Sequence, residues 1–505
     1  MSNNKAYVKI PVELVKYSPI SIYEKTSEIM NNIFDKHTDV NTGKADLIAL
    51  QKPPPKKKGP VKNLRPINLL PIIRKILSKI GLKRSEVATE QHLSSTQIAY
   101  RTGRCTAEEV WAYRWLLAKV QEYEITIYVT GIDMSSAFDT IHRQRVLEIA
   151  ERILDEDGAR ILRILLSNTS IEIKVRGAKT KPVKTNMGSP QGDSYSGPLF
   201  TMYFEDALQE VRTAVELDLK KMEMPEEMIY ADDYDHLTTE ERKQKQFIDR
   251  APNILRKYNL DVNETKTEKT TLRRHKHDKK NKTTNEPWRD TIKLGSKLGD
   301  REDMKHRRNL AAGSLNKMES ILKRRGVVRI QKKLQLYHAL VKSVLLYNCG
   351  TWGMSGKDEK DMNSFHRRQL RRVLGIKYPT TMKNKTVYKQ TNTRPISVDI
   401  TRARWKLFGH ILRMKENTPA RLAMKYFFQI PPGAKKFKGR KRTTIVTTIN
   451  NDIERTRKMN PRFDLKVIKT ELDLRNVRVK STNRKLWQKR VAMITAAAYS
   501  AITLN

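Results

Sequence analysis

The stretch EMIYADDYDHLTT, residues 227–239, places Asp232, Asp233 and Asp235 within four positions, between residues that favour β-strands. Carboxylates held so close repel one another. Either water screens them in an exposed turn, or a strand–turn–strand hairpin offers them to a divalent cation. Taken alone, the hairpin favours the solvated turn. Two other elements change that balance. An earlier acidic segment, GIDMSSAFD, carries Asp133, and a Gly/Pro/Gln loop, MGSPQGDSYSG, lies between the two. Nucleotidyl transfer uses two divalent ions about 3.5–4 Å apart, one activating the attacking 3′ hydroxyl and one holding the triphosphate. Carboxylates on two rigid strands can bracket such a pair, and Mg2+ demands near-octahedral oxygen ligands.

Those carboxylates need strands to hold them. In EITIYVTGIDM, residues 124–134, Ile125, Ile127, Val129 and Gly131 share one parity and Tyr128, Thr130 and Ile132 the other. Largely apolar residues on both faces predict a central strand. The patterning predicts a helix across 135–154, strands around a turn in 170–189, a helix beginning near Pro198 and another near Phe247–Tyr258. Upstream, helices are expected over 71–83 and 106–122. Residues 1–50 carry no motif, and QKPPPKKKGPVKNLRPINLL reads as a stiff basic linker entering a folded unit at Leu64. Beyond Leu294 the pattern is helical, with helices apolar on one side and Arg-rich on the other. His142, His275 and His277 have no partner cysteines and read as surface residues.

The chain of 505 residues carries 100 Lys+Arg against 55 Asp+Glu, a formal charge of +45. Self-repulsion of that size opposes a compact state unless a polyanion neutralises it, which points to nucleic acid. The charge runs through most of the chain rather than along one amphipathic anchor, so no membrane partner is expected. Two cysteines, Cys105 and Cys349, exclude a disulfide framework and any Cys-based zinc knuckle. The amino terminus lacks an apolar core and no run reaches transmembrane length, so an intracellular protein is expected, in the nucleus or in a cytoplasmic ribonucleoprotein.

Seven segments in order resemble the motifs of a reverse transcriptase of the non-LTR (LINE-like) retrotransposon class. KNLRPINLLPIIRKILSKI and TQIAYRTGRCT are similar to its fingers blocks, and GIDMSSAFDTIHR, GSPQGDSYSGPLF and YADD to its first three palm motifs. LDVNETKTE resembles the following Asn-x-x-Lys motif, and KLGSKLG the grip before the thumb. LLYNCGTWGM, RRQLRRVLGI and RWKLFGHILRM look like the helical region beyond the polymerase, so the resemblance covers about residues 50–490. It implies Asp133, Asp232 and Asp233 as catalytic carboxylates and metal ligands, with the Met134 carbonyl as a further oxygen. It implies Phe138 as a steric gate against the 2′ hydroxyl of an rNTP, Gln191 packing over the incoming dNTP and Arg65 clamping the triphosphate. Lys266 becomes a candidate general acid near the pyrophosphate, although a solvated lysine fits its segment as well. Asp235 keeps the reading of a solvated turn residue. The family has Leu-Ser-Pro where this chain has Tyr195, Ser196 and Gly197, and Phe and Ser where it has Tyr100 and Cys105.

The implied fold is α+β, a right-hand polymerase with fingers, a palm built on an antiparallel sheet, a helical thumb and a helical, basic C-terminal region. The expected divisions are an N-terminal extension and linker over 1–60 and fingers over 61–124. The palm follows over 125–293, with a fingers insertion at about 150–185, then thumb and connection over 294–420 and the C-terminal region over 421–505. The implied reaction is RNA-directed DNA synthesis with two Mg2+ per site, Mn2+ being an alternative, on an RNA template, a DNA primer and their hybrid. The chain shows neither a long N-terminal nuclease nor a knuckle, so a separate nicking endonuclease is an expected partner. The rival readings are a catalytically inactive RNA-binding remnant and an RNA-dependent RNA polymerase, the latter opposed by bulky Phe138.

Overall fold

The computed structural model describes residues 12–36, 43–52, 60, 63–175, 178–274, 287–323, 327–439 and 441–503. The Pro/Lys run of the expected linker, His275 and His277 lie outside the described residues. In chain order the strands are β1 (Lys44–Gln51), β2 (Leu64–Leu69), β3 (Ile127–Ile132), β4 (Ser170–Val175), β5 (Ala178–Lys179), β6 (Val183–Lys184), β7 (Glu227–Tyr230), β8 (Asp233–Thr238), β9 (Glu268–Leu272), β10 (Ile292–Lys293) and β11 (Ser296–Lys297).

The sheet that matters for chemistry has the order β7–β8–β3–β9 and is antiparallel throughout. Its inner strand β3 is buried on both faces, as its two-sided apolar pattern requires. One face packs Ile127, Val129, Leu237 and Leu272 against Trp111 and Trp115 of helix Thr106–Glu122. The other packs Ile132, Ile229 and Tyr234 against Phe200 and Phe204 of helix Ser196–Ala214. The sheet is thus clamped between two cores, which fixes the height of its strand ends.

A second sheet runs β2–β1–β4–β5, with β6 also on β4 and with β1 and β4 parallel. Residues 44–51, assigned by sequence to an N-terminal extension, therefore form an inner strand paired on both edges. The helix expected across 135–154 is two helices, Ala137–Thr140 and Arg143–Ile153, separated by extended Ile141 and His142. The break has a cause: Gly188 N donates to Ile141 O at 2.9 Å and His142 bridges Met187, so this backbone is committed to a neighbouring loop. The helix over 71–83 continues to His92.

A third core, with Met304, Trp352, Phe365 and Ile396, gathers the helices between Asp300 and the start of helix Ile396–Leu412. The basic C-terminal stretch is no appendage. Ile445, Trp487 and Ile494 join Trp111 and Phe408 in the first core. Phe437 N donates to Glu122 O and Glu124 N to Lys435 O, both at 2.9 Å, which stitches GAKKFKGRKR to the end of helix Thr106–Glu122. No helix among the described residues is long and apolar enough to cross a membrane.

Candidate active site

Strand register brings the acidic segments together. Ile132 of β3 pairs with Tyr234 of β8, and Gly131 of β3 pairs with Glu268 of β9. Carried past the end of β3, the same registers set Asp133 level with Asp233 on one side and Lys266 on the other. One edge of the sheet therefore carries Lys266, Asp133 and Asp233 in a row, with Asp232 in the tight turn between β7 and β8. The Lys266 ammonium donates to Asp133 Oδ2 at 2.7 Å. Asn263 N donates to Asp133 O and Ser135 N to Asp261 O, so this pairing leaves the Met134 carbonyl out of the ladder.

The turn itself is strained and held. Ala231 has φ 58, in the left-handed region that hairpin turns use but residues with a Cβ resist. Both of its backbone polar groups bond one side chain. Ala231 N donates to Gln97 Oε1 at 3.1 Å, and Gln97 Nε2 donates to Ala231 O at 3.4 Å. Gln97 is 1% exposed, and its backbone bridges Ile229 of β7. A Gln97→Leu variant keeps the volume but strands three buried backbone groups, because Gln97 Oε1 also accepts from Ala99 N at 3.0 Å. It should cost about 1–3 kcal/mol in urea unfolding and lower activity further by loosening Asp232; an unchanged midpoint would contradict this role.

The carboxylates feel each other. Burial, joined by Asp133, raises the Asp232 pKa, and burial with Asp232 and Asp235 pushes Asp233 up to about 6. A bound cation would relieve both. The donors are hard oxygens suited to Mg2+ or Mn2+. Among the described residues no three acidic, His or Cys side chains could hold an ion unaided. Mg2+ takes one or two carboxylates and completes its shell with phosphates and water. Protons compete for an ionised Asp233, so Mg2+ affinity measured by calorimetry should fall roughly tenfold per pH unit below pH 6. An affinity flat from pH 5 to 7.5 would remove Asp233 from the ion's reach.

The Gly/Pro/Gln loop lies against the segment after Asp133. Ser189 N donates to Phe138 O at 2.8 Å, and Gln191 Nε2 donates to the Asp139 carboxylate at 3.1 Å. Burial raises the Asp139 pKa, offset in part by that bond. The Phe138 ring stacks on Phe200 with centroids 4.3 Å apart. Asn68 N of β2 donates to Gln191 O at 2.7 Å, and Gly192, at φ 117, passes so near β2 that a Cβ would meet Asn68 O at 2.5 Å. Arg65 is exposed on that same strand, three residues from Asn68 and hence about 10 Å along it. A buried ion pair, Arg74 with Asp193 at 3.1 Å, ties the loop to helix Ile72–His92.

Beneath the row lies a group the sequence reading missed. Asp235 was expected in solvent; it is buried on β8, accepting from Lys293 Nζ at 2.6 Å and from the Tyr113 hydroxyl at 2.7 Å. Glu109 joins them fully buried, its carboxyl pKa held well above the usual range by burial and Asp235. The period-two step from Asp233 to Asp235 was the available signal, because both side chains must share a face. A cavity of about 460 Å3 is lined by Asp133, Asp233, Lys266, Glu109 and Lys293 among others.

Residues 54–298 match the family described as reverse transcriptase (RNA-dependent DNA polymerase). A retrovirus-related Pol polyprotein from the type-1 retrotransposable element R2 of Popillia japonica is 27% identical over 148 residues, 29% of this chain and 20% of that protein. The matched part is thus about a fifth of that relative's length. Among solved structures, apo telomerase from Candida tropicalis superposes with a TM-score of 0.39 at 13% identity, covering 88% of this chain and 73% of that one. A form of that telomerase truncated from its C-terminal domain gives 0.34 at 16% identity, over 50% of this chain and 55% of the other.

Proposed function

We propose, from the match of residues 54–298 to the reverse transcriptase (RNA-dependent DNA polymerase) family, that the chain extends a DNA primer on an RNA template in retrotransposition of the non-LTR kind. The observation that carries this reading is the row Lys266, Asp133, Asp233 at one sheet edge with Asp232 in the adjoining turn. Asp133 and Asp232, helped by Asp233 and the Met134 carbonyl, would hold two divalent ions, which we take to be Mg2+. When bound, such ions lower the pKa of the primer 3′ hydroxyl and offset charge on the phosphates. Lys266 neutralises Asp133 meanwhile, and once released can give a proton to the departing pyrophosphate.

The remaining residues orient the nucleotide. Arg65, reaching from β2, presents a planar fork to the triphosphate. Phe138, backed by Phe200, is too rigid to yield to a 2′ hydroxyl. Asp139 holds the Gln191 amide in one orientation over the base. The basic helices would grip the hybrid through its phosphates, a salt-sensitive and sequence-blind contact. A nuclear site of action and a separate nicking endonuclease complete the proposal.

The test offers dNTP or rNTP to the purified protein on poly(rA)/oligo(dT). Extension with dNTP alone is expected. Preference for rNTP would indicate an RNA-dependent RNA polymerase, and no product with either an inactive RNA-binding protein. Trimming the gate in Phe138→Val should raise rNTP use relative to dNTP by about 10- to 100-fold; unchanged discrimination would remove Phe138 from the sugar site.

A further inference from the structure

Several features converge on Tyr100. Its backbone has φ 57, a conformation that costs an aromatic residue energy and persists only where its surroundings impose it. The Arg101 guanidinium helps to impose it, donating to Gln97 O at 2.8 Å and closing the turn. The Tyr100 ring lies over Gly197, where a Cβ would stand 2.6 Å from its Cε1, so only a bare backbone leaves room. The ring meets Phe138 edge-on, with centroids 6.2 Å apart and planes at 82°. Despite this fixing, Tyr100 is 54% exposed. Burial and the neighbouring Asp232 raise its hydroxyl pKa, so the ring borders the carboxylates as well as the gate.

An exposed aromatic ring that is held in a strained turn, seated on glycine and set between a sugar gate and a carboxylate has a specific chemistry to offer. Bases present a π face or an apolar edge to such rings, whatever their sequence. We propose that Tyr100 is a further substrate-positioning residue, forming with Phe138 the wall against which the base pair between incoming nucleotide and RNA template rests. Gly197 is part of this wall, because its missing side chain is what admits the ring. This inference rests on the polymerase reading and adds a residue to it.

The test is steady-state extension of oligo(dT) on poly(rA) with dTTP, comparing wild type, Tyr100→Ala, Tyr100→Phe, Tyr100→Leu and Gly197→Ala. Loss of a base–aromatic contact is worth about a tenfold weakening. Tyr100→Ala is therefore expected to raise the dTTP KM about tenfold with kcat within about threefold. Tyr100→Phe should stay near wild type, and Gly197→Ala, by displacing the ring, should follow Tyr100→Ala. A merely structural residue would lower active enzyme and hence kcat, leaving KM alone. If Tyr100→Ala does not fold, Tyr100→Leu keeps the bulk without the π face and should still raise KM. An active wild type with Tyr100→Ala or Tyr100→Leu within twofold in KM overturns the inference and leaves the polymerase reading standing. An inactive wild type overturns both.

Discussion

Asp232→Asn is expected to abolish primer extension, by on the order of a thousandfold or more, while binding of an RNA–DNA hybrid stays within about twofold. The carboxamide keeps the shape of the carboxylate but not its charge, so the turn survives and the cation site does not. Asp232 is ionised at a cost, since burial and Asp133 both raise its pKa. Removing that charge relieves repulsion, so the variant should melt no lower than wild type and even slightly higher. A dead protein of undiminished stability is hard to obtain by damaging a fold. Asp133→Asn should behave alike in activity, with one difference: it also frees Lys266 from its 2.7 Å partner. Near-normal extension by either variant would sink the assignment.

Lys293→Met should have the largest effect on stability, lowering it by about 3–5 kcal/mol in denaturant unfolding. That is a large share of the roughly 5–15 kcal/mol that holds a domain together. Lys293 is a cation facing the buried Asp235 under the site at 2.6 Å, with the exposed Glu268 carboxylate at 3.4 Å. Methionine fills the space but leaves the Asp235 carboxylate without its ion partner beside Glu109, whose Oε2 already has no hydrogen-bond partner. The double variant Lys293→Met/Asp235→Asn should recover much of the loss, because the uncompensated charge is then gone. A single variant losing under about 1 kcal/mol would show the pair to be dispensable. Gly131 belongs to the same argument. A Cβ there would stand 2.6 Å from Asp235 Oδ1 and 2.7 Å from Lys293 Nζ, so Gly131→Ala must displace one or both members of the ion pair.

The site was legible to the extent that its chemistry is local. Asp133, Asp232, Gln191 and Phe138 could be named because each sits in a short motif whose residue types match a known task. Asp235 was misread because exposure depends on what packs above a strand, and Tyr113 and Lys293 come from distant parts of the sequence. Within TQIAYRTGRCT the role of Gln97 is not legible, since its partner is the backbone of Ala231, whose left-handed turn no composition reveals. Residues 44–51 looked featureless, yet β1 pairs with both β2 and β4, because strand pairing needs only backbone groups and a compatible face.

By itself the sequence determined the two-faced burial of β3, the mainly helical character of the chain beyond the short strand β11, the excess of positive charge and the order of the motifs. These follow from side-chain periodicity and charge, which act over a few residues or over the whole chain. The tertiary structure alone decided which charges are neighbours. It put Lys266 and Asp233 on either side of Asp133, put Lys293 against Asp235, and left room above Gly197 for the Tyr100 ring. Coulomb forces and close packing depend on distance in space rather than on separation along the chain, and strand register fixes that distance.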